Sequence, residues 1–363
     1  MTDLRPLFDA GVAAVRGDTA VAASLTAFPI SHPDQIIAVG KAASAMAAAA
    51  HAQFPDVPLL IVTKYGHTNG APDAAEVMEA AHPVLDDASL RAGARMLEIV
   101  HAMPQRSHLL MLVSGGASAL AECPVNGLDL AGFQARTQAM LASGADIHEM
   151  NTARKALSRI KGGKLLSAFT GSIVTTLAIS DVEGDSLAVI GSGIGDAPQG
   201  AGFAFDPRIV ASNAIARDAV VRAAGGAVTN AETLYDDIIV LAPRIATSLV
   251  TPGLHVFGGE PTVVLPDNPG QGGRNQALAL LLAREIAGRR GIRILVAGTD
   301  GSDGPTQAAG AIVDGDTWTP DGQRALDRAD ALPYLAARGA LLTTGPTGTN
   351  VMDLVIADVA PDA

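Results

Sequence analysis

Short apolar runs alternate with longer segments rich in Ala, Leu, Arg and Glu along most of the chain. "QIIAVG" leads into "KAASAMAAAAHAQF", and "PLLIVTKYG" leads into a turn-rich stretch. "DDASLRAGARMLEIVHAM" reads as a helix and leads into "SHLLMLVSGGASAL". "IHEMNTARKALSRIKGGKLLSAF" reads the same way and leads into "SIVTTLAISDVEGD". "PRIVASN" leads into "AIARDAVVRAAGG". This order predicts βαβ units and a largely parallel sheet. The apolar runs do not alternate with polar residues, as befits strands buried on both faces.

After "DDIIVLAPRIATSLVTPG" the pattern restarts. "HVFGGEP" and "TVVLP" read as strands close in sequence, and "RNQALALLLAREIAGRRG" reads as a helix. "IRILVAGTDG", "GAIVDG", "ALLTTG" and "DLVIADV" read as further strands. In "TWTPDGQRALDRADA", Thr319 is the expected N-cap, with Pro320 at the first helical position. Pro and Gly interrupt the helical pattern near residues 244–254, so a domain break is expected there, giving domains 1–248 and 249–363.

Two domains also suit the length of 363 residues. Aromatic residues make up only 3%, so the core must be built from Ala, Val, Leu and Ile. The net charge of -12 gives no basic footprint for nucleic acid. A few local cations and backbone N–H groups can still hold phosphate on an acidic protein. The single cysteine, Cys123, cannot form an intrachain disulfide, and it reads as an ordinary small side chain in a reducing compartment. No signal peptide or membrane-length apolar run is recognisable, so a soluble cytoplasmic protein is expected.

Polar, glycine-flanked clusters follow most of the strand-like runs: "VGKA", "VTKYGH", "VSGGASA", "ISDVEGD", "ASN", "FGGEP", "AGTDGSDGPT" and "TTGPTGTN". Parallel α/β sheets bind ligands beyond the carboxyl ends of their strands, and glycines let backbone N–H groups cradle phosphate oxygens. The Walker loop and the G-x-G-x-x-G dinucleotide fingerprint are both absent, and no His/Cys cluster has zinc spacing.

The chemistry then rests on scattered side chains. Lys41 follows a strand and opens a helix, where it could face an anion; the alternative is a surface lysine. Arg274, in "GQGGRNQ", also opens a helix, and its planar fork suits phosphate or carboxylate. Positive charge there opposes the helix dipole, which weakens the reading of a merely solvated arginine. Asp181, Glu183 and Asp185, and then Asp300 and Asp303, are either carboxylates for Mg²⁺ beside phosphate or ordinary turn formers. Glu260 could orient a substrate hydroxyl or Arg274. His67, His82 and His148 sit near loops and read as structural.

Together these stretches resemble the glycerate 2-kinase family, whose C-terminal half is the MOFRL domain. The resemblance rests on "AVGKAASAMA", "VTKYGH", "EAAHPVLDDAS", "LVSGGASAL", "IHEMNTARKALSRIKGGKL", "AISDVEGD", "ASN", "FGGEPTV", "GQGGRNQALAL", "GTDGSDGPTQAAGA" and "TTGPTGTNVMDLVI", in the family's order. It implies an N-terminal Rossmann-like parallel sheet flanked by helices, a smaller C-terminal α/β domain, and an active site in the cleft between them. It implies transfer of the ATP γ-phosphoryl group to the 2-hydroxyl of D-glycerate, with Mg²⁺. On this basis Lys41, Arg274 and Asp181 are the catalytic candidates. Gly40, Ser114, Gly115, Gly116, Ser118, Ser212, Asn213, Gly345, Thr347 and Asn350 are assigned to nucleotide phosphates. Lys64, Glu260, Arg154 and Asn275 are assigned to substrate, and Asp181, Asp300 and Asp303 to the metal. Two departures stand out: "IGSGIGDAP" replaces a sequence closer to "IASGPT", and Met352 stands where Asn is common.

Proteins of this family also carry the name hydroxypyruvate reductase. The missing dinucleotide fingerprint argues against NAD(P)H-dependent reduction, which stays as the second enzymatic reading. A non-catalytic nucleotide or sugar-acid sensor is the third, since fold does not fix function. No membrane or nucleic-acid partner is expected, and a homodimer is one option for the assembly.

Overall fold

The computed structural model describes residues 2–142, 152 and 155–361. The chain forms two compact units. One is Arg16–Ala211; the other joins Met1–Val15 to Ser212–Ala363.

In the first unit the apolar runs become strands β1 (Gln35–Val39), β2 (Leu59–Lys64), β3 (Glu76–Ala80), β4 (His108–Val113), β5 (Ile173–Ile179) and β6 (Ala204–Ala211). They lie in the order β3-β2-β1-β4-β5-β6, and every pairing is parallel. All six residues of β4 are buried, which is why its sequence shows no polar alternation. The order reverses direction between β1 and β4. Doubly wound sheets bind ligands at such a switch point, beyond the carboxyl ends of the strands. Val39 pairs with Val113, so the loops opening at Gly40 and Ser114 leave the sheet side by side.

In the second unit the strands are β7 (Thr229–Glu232), β8 (Gly253–Gly259), β9 (Ile292–Gly298), β10 (Gly310–Asp314), β11 (Leu341–Leu342) and β12 (Asp353–Val359). Their order is β11-β10-β9-β12-β8-β7. Only β7 and β8 pair in parallel; the other pairings are antiparallel. The helix Arg274–Glu285 buries Leu278, Leu280, Leu281 and Leu282 in a core with Ile294, Val296 and Val355. Among the described residues no helix is long and apolar enough to cross a membrane.

The structure departs from the sequence expectations in four places. The division between compact units falls at Ser212 instead of residues 244–254. Pro243 lies inside the helix Ile238–Ser248, whose buried Ile238, Leu241, Ala242 and Ile245 hold it together. The N-terminal helix Leu4–Ala14 joins the second unit because Gly11 lets it approach Val220 and the Ala216 carbonyl. "TVVL" forms no strand: Thr262 makes a single bridge to Asp237, and Val264 and Leu265 are exposed. The expected helix start at Pro320 moves to Gly322, with Asp321 at the N-cap and the Thr319 hydroxyl bonded to Asp321 and Tyr334. In the stretch 147–169, Gly162 and Gly163 take left-handed conformations, and only the short helix Lys164–Ser167 follows them. Much of the earlier part lies outside the described residues.

Candidate active site

The loops after β1 and β4 are built as one piece. Gly40 has φ 130°, and a Cβ there would stand 2.1 Å from the Ser114 hydroxyl, so only glycine fits. The Ala42 N–H donates to that hydroxyl at 3.1 Å, and the Lys41 N–H donates to the Gly115 carbonyl at 2.9 Å. Thr63 Oγ1 donates to the Gly40 carbonyl at 3.1 Å, adding β2 to the assembly. A Cβ on Gly116 would lie 3.1 Å from the His82 ring and 3.2 Å from Lys41 Cγ. The half-buried Lys41 stem therefore runs over Gly116 beside His82. Behind the loop, Lys161 Nζ meets Glu122 Oε2 at 2.6 Å and donates to the Ser118 carbonyl at 2.6 Å, with both charged side chains buried. Sequence reasoning missed this pair. Its one signal was an acid, Glu122, inside the otherwise apolar "SALAECPV".

In the second unit the centre is Arg274, the first residue of its helix. Its Nε–H donates to Asp353 Oδ2 at 2.6 Å, and its Nη1 donates to Glu260 Oε1 at 2.8 Å. The Asp353 side chain is 3% exposed and that of Glu260 is 48% exposed, so one partner is internal and the other sits at the rim. Burial pulls the guanidinium pKa down, but the two carboxylates outweigh it, and the net shift is upward. Asp353 is shifted up by complete burial, against the pull of Arg274. Asp353 was not among the sequence candidates; the available signal was an acid opening the apolar run "DLVIADV".

Asp303 accepts the N–H groups of Asn275 at 3.0 Å and Gln276 at 2.8 Å, so it caps the Arg274 helix from another loop. Burial pushes its carboxyl up to about 7 against those two hydrogen bonds. Thr299 organises the neighbouring loop: its hydroxyl donates to the Met352 carbonyl at 2.7 Å and accepts the Val351 N–H at 2.9 Å. Thr347 Oγ1 in turn donates to the Thr299 carbonyl at 2.6 Å.

Two family models match the chain: a domain of unknown function, DUF4147, over residues 3–200, and the MOFRL family over residues 253–353. The chain is 37% identical to a D-glycerate 2-kinase of Thermotoga maritima, covering 88% of this chain and 89% of the relative. The chain belongs to the glycerate 2-kinase family. It is 34% identical to an Agrobacterium vitis relative provisionally named a hydroxypyruvate reductase, covering 97% of this chain and 92% of the relative. A crystal structure of a Thermotoga maritima glycerate kinase superposes with a TM-score of 0.86 at 34% identity, covering 98% of each chain.

The residues singled out in the sequence fall in distinct places. Gly40, Lys41, Ser114, Gly115, Gly116 and Ser118 share the β1/β4 loop assembly, in which the Ser114 hydroxyl is a buried tie. Lys64 ends β2, half-buried, and Asp181 follows β5 with partial exposure. Arg274, Glu260, Asn275, Asp300 and Asp303 gather in the second unit with Gly345, Thr347 and Asn350, whose loop closes on Gly301: a Cβ there would meet the Gly345 carbonyl at 2.0 Å.

Several residues have other work than the sequence suggested. Asn213 is buried; its amide donates to the carbonyls of Val351 at 2.9 Å and Asp353 at 3.1 Å and accepts from Arg217. It ties the chain internally, and no lone capacity is left for phosphate. Ser212 takes the N-cap position of the helix Asn213–Ala224 without a side-chain cap bond. Asp303 has both oxygens on helix N–H groups, which gives it a capping role. Arg154 and His148 lie outside the described residues. Met352 has φ 66°, a conformation that Asn tolerates better than Met.

Proposed function

We propose that this protein is a glycerate 2-kinase that transfers the γ-phosphoryl group of ATP to the 2-hydroxyl of D-glycerate. The observation that carries the reading is the guanidinium of Arg274, fixed by two carboxylates at a helix start in a glycine loop. Glycerate and a triphosphate repel each other, and a fixed cation offsets that repulsion where phosphoryl transfer gathers charge. The named kinase relatives support the same chemistry.

In this reading Lys41 and the backbone N–H groups of Gly115 and Gly116 hold phosphate oxygens at the switch point of the parallel sheet. Arg274 holds the glycerate carboxylate or the transferring phosphoryl group. Glu260 and Asn275 keep it in place, Lys64 adds positive charge for the substrate, and Gly345, Thr347 and Asn350 line the nucleotide side. Among the described residues no three His, Cys, Asp or Glu side chains gather to hold a metal. Mg²⁺ needs fewer, since it is usually bound by one or two carboxylates plus substrate phosphates. Asp300 and Asp181, each partly exposed just past a strand, fit that requirement. Bound Mg²⁺ would neutralise charge on the phosphates.

A coupled ADP-release assay run beside an NADH-oxidation assay tests the reading. D-glycerate with ATP and Mg²⁺ is expected to release ADP, and hydroxypyruvate is expected to leave NADH untouched. NADH oxidation without ADP release would establish the reductase instead, and neither activity would leave the sensor.

A further inference from the structure

We propose that Asp353 is a positioning residue for Arg274, fixing the guanidinium so that its Nη2 end stands as a ready donor pair for an anionic oxygen. The inference rests on the kinase reading for its catalytic meaning, and on geometry alone for the positioning itself.

Asp353 opens β12, the strand between β8 and β9. Its two register partners are Gly259 and Gly298, so no side chain crowds its carboxylate from either neighbour. A Cβ on Gly298 would come within 3.2 Å of Asp353 Oδ1, so even one methyl group would press on that oxygen. The backbone beside it is clamped from two directions. Asn213 donates to the carbonyls of Val351 and Asp353, and Thr299 bonds Met352 and Val351. The side chain of Asn275 lies beside the Asp353 carboxylate and works against the upward push of burial. The carboxylate is thus a fixed, buried anchor at 2.6 Å from the Arg274 Nε.

Glu260 grips the opposite side of the same guanidinium through Nη1, from an exposed position. Asp353 sets the position and Glu260 steadies it. Among the described residues Nη2 makes no hydrogen bond, and the Arg274 side chain is 32% exposed, which leaves that end for a ligand. A buried carboxylate is costly to keep, and removing one member of such a pair is worse than never having it. A fixed cation is what that cost secures here.

The test combines kinetics with a direct view of the guanidinium. Asp353→Asn keeps the shape and a neutral acceptor. It should lower kcat about 10- to 100-fold, as loss of an outer partner does around metal ligands. KM for glycerate and ATP should change less than about 3-fold, because the guanidinium keeps its charge and its Glu260 bond and loses only the alignment that kcat reads. In an Arg274→Ala background, adding Asp353→Asn should change kcat by less than about 3-fold, because the two residues act as a unit. An equal loss in both backgrounds, or no loss in either, overturns the proposal.

A second measurement needs no activity and no variant at Asp353. The Arg274 Nε–H resonance, assigned by its disappearance in Arg274→Lys, should exchange slowly with water in the wild-type protein. Exchange as fast as that of exposed arginines overturns the positioning even if Asp353→Asn fails to fold. If the wild type releases no ADP while this resonance is protected, the kinase reading fails and the positioning stands.

Discussion

Arg274 sits where the helix dipole disfavours a cation, and it stays because Asp353 and Glu260 supply the compensating charge. The planar fork matters as much as the charge, since Nε and Nη1 point to different partners. Arg274→Lys keeps one charge and loses that geometry. It is expected to fold normally and to lose about 2–4 kcal/mol of transition-state stabilisation in kcat/KM, as for other preorganised donors. Unchanged kcat/KM would return Arg274 to a solvated helix start. Asp303 behaves differently. Burial raises its carboxyl to about 7 from an ordinary carboxylate value. The folded state therefore holds this proton more tightly than the unfolded chain, so its contribution is present at acid pH and is lost as pH rises through about 7. Asp303→Asn cannot titrate. The melting temperature of wild type minus that of Asp303→Asn should fall as pH rises from acid to neutral, and a rise would contradict the shift. Lys41 and Arg274 were legible in the sequence because each interrupts a glycine loop beside a helix. Asp353 was not, since its partner is 79 positions away and the bond exists only once β12 has formed. The Lys161–Glu122 pair was hidden for the same reason.

Elements with continuous apolar runs were legible: β1, β2, β4, β5, β9 and β12 all arise where the sequence places them. The edges were not. β3 reads "EVMEA" and is mostly exposed or half-buried, so its acidic residues gave no strand signal. β7, "TNAE", has no apolar run at all and exists because β8 offers it a parallel partner. "TVVL" has the β-branched composition of a strand but finds only one bridge. The atypical "GSGIGD" forms a tight turn in which Gly191, Ser192 and Gly193 all have positive φ. The Ser192 carbonyl accepts the Gly162 N–H at 2.8 Å, and the Gly193 carbonyl accepts the Gly163 N–H at 3.0 Å, which fixes that conformation. Ser192 alone of the three bears a Cβ. Relief of a left-handed penalty of about 1–2 kcal/mol outweighs an entropy cost of about 0.4–1 kcal/mol, so Ser192→Gly should stabilise the protein by about 0.5–1 kcal/mol. A thermal melt checks this: the midpoint should rise, and a fall would mean that the serine side chain contributes more than its backbone costs.

At the scale of the molecule, the parallel sheet of Arg16–Ala211 was legible from the βαβ alternation, and its strand order places Gly40 and Ser114 at the switch point. The composition of the second unit was not. Its mostly antiparallel pairing depends on β12 inserting between β8 and β9, and its first helix comes from the opposite end of the chain. Neither fact has a local signature. What the whole chain does follows from family membership. Transfer of a phosphoryl group to the 2-hydroxyl of glycerate is read directly in the product's phosphorus spectrum. A phosphate on C2 has one proton on the carbon it esterifies; a phosphate on C3 has two. With D-glycerate, ATP and Mg²⁺, the proton-coupled ³¹P spectrum of the product should show a doublet that grows as ADP forms. A triplet would mean the 3-hydroxyl is the acceptor, and no phosphomonoester signal at all would contradict the kinase account.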